Sequence, residues 1–374
     1  MRVLHVESGP NWGGQEVRNL TEIRWLREHG HEAWLACDPA SQSFRRAPGF
    51  GVEPLPLRIS KAGYLLSVWN LLRLARRLNV DVIQTHSPLD AWLALPLHHL
   101  GWPVVRSRNI LNAVPANIRA FVYRHGCRRI IATAGCIKEG LVDRTKVPSE
   151  KIDVVGEGID TTRFNQAGHS AAFRAELGLS PNTPLVGMIS MLRGEKGALD
   201  FVKSALLCLK EMPAARFVIV GEGPQRAKIE AAIADGVSKL RSAAPQHWPR
   251  EATPIVLAGY RTDTPAILSS LDLVVIPSHI EARCRVLSEA MFMARAVVAT
   301  RVGGMVEVLD HGETGLLVPS RDPAAMAAAI CELLRDPDRR QRMGRKGLAK
   351  AEAEMSLDTV MAQTLAVYAR AIQG

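Results

Sequence analysis

Aromatic residues are scarce here: Phe, Trp and Tyr together make up 5% of the 374 positions. That argues against the stacked side chains that hold single-stranded nucleic acid. No nucleic-acid motif is present either, so nucleic acid is not an expected partner. Cysteines are few and scattered. Cys37, Cys127, Cys136, Cys208, Cys284 and Cys331 include no C-x-x-C pair, which removes the spacing of a zinc site and reads as free thiols in a reducing cytosol. No aspartate-rich metal motif stands out, and no metal is expected. Long apolar runs are missing as well: nothing approaches eighteen consecutive apolar residues, so no transmembrane helix is predicted. The first residues, MRVLHVESGPNWGG, pass from a strand-like run straight into a glycine turn, without the apolar core of a signal peptide. The expectation is a cytoplasmic protein, with the inner face of the cytoplasmic membrane as a surface it would visit peripherally.

What is present is ordinary globular material, with 47% apolar and 22% charged residues, and the length predicts two domains. The charge is uneven. Of a net +10, the part up to Asn165 carries 22 Lys and Arg against 15 Asp and Glu, a balance of +7. Such a half would attract an anionic membrane surface or a phosphorylated acceptor, although a merely arginine-rich solvated surface gives the same count. The amphipathic run Gly63–Asn79 places Arg73, Arg76 and Arg77 on or near one face, which rests on headgroups or faces water.

Apolar runs alternate with helix-period segments throughout, which predicts an α/β chain with parallel sheets. Strands are expected at 2–8, 32–36, 81–85, 104–106, 130–133 and 153–155, and again at 185–190, 215–220, 255–258, 273–276 and 296–300. A first helix to about His29 carries Val17, Leu20, Ile23 and Leu26 at three-residue steps. Pro39 to Pro56 reads as loop over much of its length, 165–184 as a passage between domains, and 236–254 as a polar insertion. Helices fill about 323–350, and a last amphipathic helix runs from about Leu357 to Ile372.

Three places carry chemistry. Gly13-Gly14 sits where a strand hands over to a helix, so a ligand can approach the backbone and an anion can meet unpaired N–H groups; a plain tight turn is the alternative. Arg193 and Lys196, in MLRGEKG, follow the 185–190 strand and open a helix, where cations oppose the dipole unless an anion binds. They suit the negative charge of a departing diphosphate. Glu281 lies in the turn after the 273–276 strand. Glu289 falls about two turns into a helix starting near Arg283, so both carboxylates can face the crevice at the strand's carboxyl end. Ionised oxygens there accept strong hydrogen bonds from hydroxyl-rich ligands.

The stretch 274–319 resembles the donor-binding motif of retaining GT-B glycosyltransferases of the family 4 (group 1) type. Glu281 and Glu289 stand as Glu-x7-Glu, followed by Ala290-Met291, Val297–Thr300, Val302–Glu307 as Val-Gly-Gly-x-x-Glu, and Gly312–Val318. Gly158-Ile159-Asp160 with Arg163-Phe164 is similar to the family's inter-domain turn, with Glu157 replacing an asparagine. The resemblance spans nearly the whole chain, specific in the second half and looser in the first. It implies the GT-B architecture: two Rossmann-like domains facing across a cleft, with a C-terminal helix crossing back to the first. The acceptor-side domain would be 1–165 with a returning helix at 357–374, and the donor domain 166–356. The implied activity is transfer of a sugar from a nucleotide-diphosphate sugar to a glycan or glycolipid acceptor with retention, as in envelope polysaccharide or lipopolysaccharide biosynthesis, with no cofactor beyond the donor.

The same resemblance implies the roles. Arg193 and Lys196 would hold the diphosphate, Glu281 the donor sugar and Glu289 the ribose. Gly259 and Tyr260 would border the base, Arg283 would add charge beside the phosphates, and Gly14 belongs to the Gly-Gly pair near the donor phosphate. His86 and Asn109 would serve the acceptor side. Several positions depart from the pattern. Met191 takes the usual arginine position, Asn109 a usual histidine, Ala282-Arg283-Cys284 the usual Gly-Phe-Gly or Gly-Phe-Pro, and Ala294 and Ala296 a usual Gly and Pro. These departures keep two rivals open: a nucleotide-sugar-binding protein with weakened catalysis that acts as scaffold or regulator, and a GT-B-like sugar epimerase.

Overall fold

The apolar runs become parallel strands covered on both faces, which is why they read as continuous rather than alternating. The computed structural model describes the chain except for Asn11, Lys61, Ala116 and residues 166–171 and 247–252. It divides into two units, Met1–Asp160 with Met355–Gly374, and Thr161–Glu354. The first holds β1 (Arg2–Glu7), β2 (Glu32–Cys37), β3 (Leu55–Pro56), β4 (Val82–Thr85), β5 (Val104–Arg108), β6 (Arg129–Ala132) and β7 (Ile152–Val154), in the order β3-β2-β1-β4-β5-β6-β7. The second holds β8 (Leu185–Ile189), β9 (Arg216–Val220), β10 (Ile255–Gly259), β11 (Leu273–Ile276), β12 (Ala296–Thr300) and β13 (Leu316–Val318), in the order β10-β9-β8-β11-β12-β13. Every pairing among these strands is parallel.

Both orders reverse direction once, between β1 and β4 in the first sheet and between β8 and β11 in the second. Outside the carboxyl ends of those strands the connecting loops leave in opposite directions and open a crevice. The Gly13-Gly14 turn and His86 follow β1 and β4; Lys196 and Glu281 follow β8 and β11. Topology alone thus selects the positions that the sequence marked for chemistry.

The helix Leu357–Gln373 packs on β4, β5 and β6 and on the Gly14–Glu28 helix. Its start is bound to the first unit by backbone bonds from Ile159 N to Met355 O and from Leu357 N to Ile159 O, both 3.0 Å. Gly158 allows that approach, since a Cβ there would lie 3.1 Å from Leu357 Cα. Ser356 caps the helix by accepting from Thr359 N at 3.1 Å, and Trp25 Nε1 donates to Asp358 Oδ1 at 2.6 Å. Val360, Met361, Val367 and Tyr368 are buried with Leu20, Ile23 and Leu26 in one core. The buried Tyr368 hydroxyl donates to Gln84 Oε1. In the second unit, the Ala198–Glu211 and Pro323–Arg335 helices pack together, and Phe201 meets Phe217 of β9 edge-on at 6.0 Å.

Three expectations need correcting. The stretch 39–56 is not mainly loop: it contains a helix, Gln42–Arg46, a 3-10 turn, Ala47–Phe50, and edge strand β3. Ser41 starts that helix by accepting from Phe44 N at 3.1 Å, and Pro56 is tolerated because β3 lies at the sheet edge. The polar insertion at 236–254 begins inside the helix Arg226–Ala243, and its later part, 247–252, lies outside the described residues. The helix that bears Glu289 is Arg285–Phe292, so it starts two residues after Arg283, and Glu289 is only its fifth residue.

Candidate active site

In the second unit three loops are stitched together at the β8–β11 reversal. Gly197 ends the Arg193–Lys196 turn with φ +72°, and a Cβ there would stand 1.9 Å from the Pro277 carbonyl oxygen. Only glycine combines that conformation with that approach. The His279 amide donates to Glu195 O at 2.7 Å, and its Nε2 pairs with Asp200 Oδ2 at 2.7 Å. From the other side, Gly304 N donates to Ala282 O at 3.1 Å, and the Thr300 hydroxyl donates to Ser278 O at 2.5 Å. The Val-Gly-Gly stretch therefore holds the turn that carries Glu281.

Within this frame the Lys196 ammonium lies 2.6 Å from Glu281 Oε2, which also accepts from Ser278 Oγ at 3.3 Å. Burial pulls the Lys196 pKa down, but Glu281, Cys284 and Glu195 outweigh it and hold the group above the ordinary lysine value. Lys196 is thus a firmly charged cation beside a carboxylate that is almost entirely buried. One turn along, Arg285 Nε donates to the buried Glu289 Oε1 at 2.9 Å. Arg283 is half-buried in the extended segment just before Cys284, the residue that caps the helix. Arg193 lies in the same turn as Lys196, exposed to solvent. Gly259 ends β10 with φ +69°, two strands from β8, and Tyr260 beside it is largely exposed.

The arrangement offers two ion pairs, Lys196–Glu281 and Arg285–Glu289, with Arg193 and Arg283 nearby and backbone N–H groups at the start of the Arg285–Phe292 helix. Cations and aimed N–H groups of this kind can stabilise a developing diphosphate charge, while the carboxylates can accept hydroxyl hydrogens. Sequence reading assigned Arg193 and Lys196 together to a diphosphate but did not foresee that Lys196 pairs with Glu281. It also missed Ser278, His279 and Asp200 as positioning groups. The i,i+4 spacing of Arg285 and Glu289 was the one available signal for the second ion pair. No group of three or more His, Cys, Asp or Glu among the described residues is placed to hold a metal ion. The chain does contain one Asp-x-Asp, Asp336 and Asp338, but it serves a helix start: Asp336 Oδ1 accepts from Arg339 N at 2.8 Å.

In the first unit the turn after β1 is organised by Glu7. Its carboxylate accepts from Gly9 N and Gln15 Nε2, each at 2.8 Å, from Asn19 Nδ2 at 3.0 Å, and from the Ser87 hydroxyl. Gly14 is the first residue of the Gly14–Glu28 helix, and its N-cap, Gly13, has no side chain to occupy the N–H groups. Glu16, just behind, is titrated upward by burial and by Glu7. Ser87 is fixed in turn by Asp90, which accepts its amide at 2.9 Å and faces Arg106 at 3.3 Å. His86 does not reach solvent: it is buried and stacked on His5, with Nε2 3.1 Å from His5 Nδ1. Burial, with His5, Arg106 and Arg18 nearby, keeps His86 neutral far below the usual histidine pKa. Asn109, just past β5, is half-buried, and its Oδ1 has no hydrogen-bond partner among the described residues.

Comparison with known proteins gives the family and the fold. The family model for glycosyl transferases group 1 matches residues 183–336, and that for glycosyltransferase family 4 matches residues 12–163. A D-inositol 3-phosphate glycosyltransferase of Frankia alni is 31% identical over 303 residues, covering 72% of this chain and 70% of that protein. The enzyme of the same name from Nocardia farcinica is 34% identical over 231 residues, covering 60% of this chain and 48% of that one. The chain thus spans about half the length of several of the curated relatives it matches. Among solved structures, that of Anabaena Alr3699/HepE in complex with UDP superposes with a TM-score of 0.82 over 99% of this chain and 100% of that one, at 18% identity. At that identity the likeness shows the fold.

Proposed function

The chain belongs to the group 1, family 4 glycosyltransferases, and from that membership we propose that it transfers a sugar from a nucleotide-diphosphate sugar to a glycan or glycolipid acceptor with retention. The observation that carries this is the Lys196–Glu281 pair at the β8–β11 reversal, with Arg193 in the same turn and Arg285–Glu289 one helix turn away. Lys196 and Arg193 meet the diphosphate as negative charge grows on it. Glu281 accepts from hydroxyls of the donor sugar and Glu289 from the ribose, while the backbone at Gly259 and Tyr260 borders the base. In the first unit the helix start at Gly14, behind an N-cap glycine without a side chain, offers its N–H groups to an anion.

In a front-face reaction the bond from the anomeric carbon to the diphosphate oxygen breaks as the acceptor oxygen bonds to the same face, and the departing phosphate takes the acceptor's proton. His86, neutral and interior, is then no base, and Asn109 offers a hydrogen bond without proton transfer. No metal enters the scheme. The acceptor side is the basic first unit, which suits an anionic acceptor in envelope glycan synthesis at the inner face of the cytoplasmic membrane. A relative named for D-inositol 3-phosphate is compatible with an acceptor of that charge.

The test is a thermal-shift screen of UDP-, GDP- and ADP-sugars, since a ligand of the folded state raises stability by RT ln(1+[L]/Kd). Turnover and the anomeric configuration of the product are then read by NMR. Binding without turnover, including hydrolysis, would favour the scaffold reading, and a changed sugar without acceptor would favour the epimerase.

A further inference from the structure

On the Tyr64–Arg77 helix three large apolar side chains within about one turn stand in solvent: Leu65 is 81% exposed, Leu66 64% and Trp69 52%. On the Ile118–His125 helix Ile118 is 67% exposed, and Phe121 reaches solvent beside it. The Pro88–His99 helix packs against both of these helices and links them. The Tyr64 hydroxyl donates to Trp92 O at 2.9 Å, and Trp92 stacks on Phe121 with ring centroids 6.5 Å apart and planes 8° from parallel. The exposed side chains therefore form a strip on two helices joined through a third, unlike the single apolar residues that dot any surface.

The stretch of sequence that bears the strip is strongly basic. Between residues 54 and 138 the chain carries twelve Lys and Arg against two Asp and no Glu, which accounts for its whole formal surplus of +10. Neither acid competes at the surface: Asp81 pairs with Arg2 at 3.0 Å, and Asp90 is buried against Arg106. Arg73, Arg76, Arg77, Arg119 and Arg124 are all exposed. Sequence reading saw the arginines of the first helix but neither the apolar strip nor the second helix.

Exposed Leu, Ile, Phe and Trp set among arginines that pair with no carboxylate among the described residues match the boundary between headgroups and acyl chains, where apolar tips enter and guanidinium groups stay with phosphates. We propose that this strip docks the first unit on an anionic bilayer, with Leu65, Leu66, Trp69, Ile118 and Phe121 inserted and the arginines on the headgroups. A second copy of the chain is a poor occupant, because it would bring the same positive field. The inference deepens the membrane-side part of the proposed function, but it stands on the surface alone and needs nothing from the donor site.

The experiment is co-sedimentation with vesicles of phosphatidylcholine and of phosphatidylcholine mixed with phosphatidylglycerol, with UDP thermal shifts on the same samples. The wild-type chain is expected to bind the anionic vesicles roughly tenfold or more tighter than the neutral ones at low salt. Leu65→Ser/Leu66→Ser/Trp69→Ser should lose roughly tenfold or more of that binding at every salt concentration. Arg73→Gln/Arg76→Gln/Arg77→Gln should lose chiefly the salt-sensitive part. Brominated acyl chains should quench bound protein, less so in Trp69→Phe. The UDP response should match wild type in all variants, so failure at the vesicle and failure at the nucleotide are separate results. Absence of binding to anionic vesicles, wild-type binding by the apolar triple variant, or lipid-free self-association abolished by that variant would each overturn the proposal.

Discussion

Replacing Glu281 with glutamine should separate two effects that the wild-type site couples. Lys196 Nζ and Glu281 Oε2 are 2.6 Å apart. At an effective dielectric of about 20, unit charges at that distance attract by about 6 kcal/mol, most of which is offset by removing both groups from water. Loss of the pair should therefore lower stability by about 1–2 kcal/mol. Toward a diphosphate the sign reverses. A carboxylate about 5–6 Å from a phosphate charge repels it by about 3 kcal/mol at the same dielectric, and screening removes part of that. With the repulsion gone and Lys196 released, the bare nucleoside diphosphate should bind about tenfold tighter than to wild type. The intact nucleotide sugar gains the same relief but loses charge-assisted hydrogen bonds at about 1.5–3 kcal/mol each. The affinity ratio of nucleotide sugar to nucleotide should thus fall by roughly 10- to 100-fold. Calorimetry with UDP and a UDP-sugar, beside urea unfolding, reads all three quantities. Weaker UDP binding in Glu281→Gln with an unchanged ratio would refute both the phosphate role of Lys196 and the sugar role of Glu281.

Arg193→Ala should lower turnover by about 10²–10³ while moving the unfolding midpoint by less than about 0.5 kcal/mol, because the side chain is exposed; wild-type turnover would remove it from the site. Gly197→Ala, at φ +72° with 1.9 Å to Pro277 O, should cost about 2–4 kcal/mol, and an unchanged melting temperature would show the turn to be slack. Acid should weaken the first unit through His5, which burial and then Arg18 hold at about 3, and through the equally interior His86. Below about pH 6.5 the unfolded chain binds protons that the fold refuses, so their stabilisation, full above that pH, drains at up to about 1.4 kcal/mol per pH unit each. Asp90, raised by burial to about 7, works in the opposite direction, since the fold then holds a proton the unfolded chain releases. The net expectation is roughly one group's slope between about pH 6 and 4, read from urea midpoints; a flat profile would show that water or local opening satisfies the histidines.

The two sheets were legible because strands buried on both faces are continuous apolar runs, and nine of the thirteen strands follow from that signal with their ends shifted by a residue or two. Two more, β11 and β12, were read with the ends they have. The two missed strands, β3 and β13, are short outer ones, two and three residues long. Pro56 and the turn glycines around β13 outweigh so few apolar positions. The donor-side residues were legible through spacing and resemblance, but their pairing was not. Lys196 and Glu281 are 85 positions apart, and only the parallel neighbours β8 and β11 bring them together. The same reason hides Glu7, whose partners come from two later elements. His86 shows the opposite failure: it closes a strand, where ligands are expected, yet its ring turns inward to His5 because both sit on adjacent strands.

The first unit is interrupted in sequence. Its chain leaves at Asp160, returns at Met355, and the two crossings touch through the Ile159–Ser356 bridge. The second unit is thus an insert whose ends meet at one place, free to form as soon as its own residues exist. The first unit is different. Until Tyr368 and Val367 have been made, one face of β4–β6 and the inner side of the Gly14–Glu28 helix lie open, with Leu20, Ile23 and Leu26 uncovered. During synthesis the earlier half therefore waits, adhesive and unfinished, while the later half folds, and a stop codon before the last helix would leave a sound second unit tethered to an aggregation-prone partner.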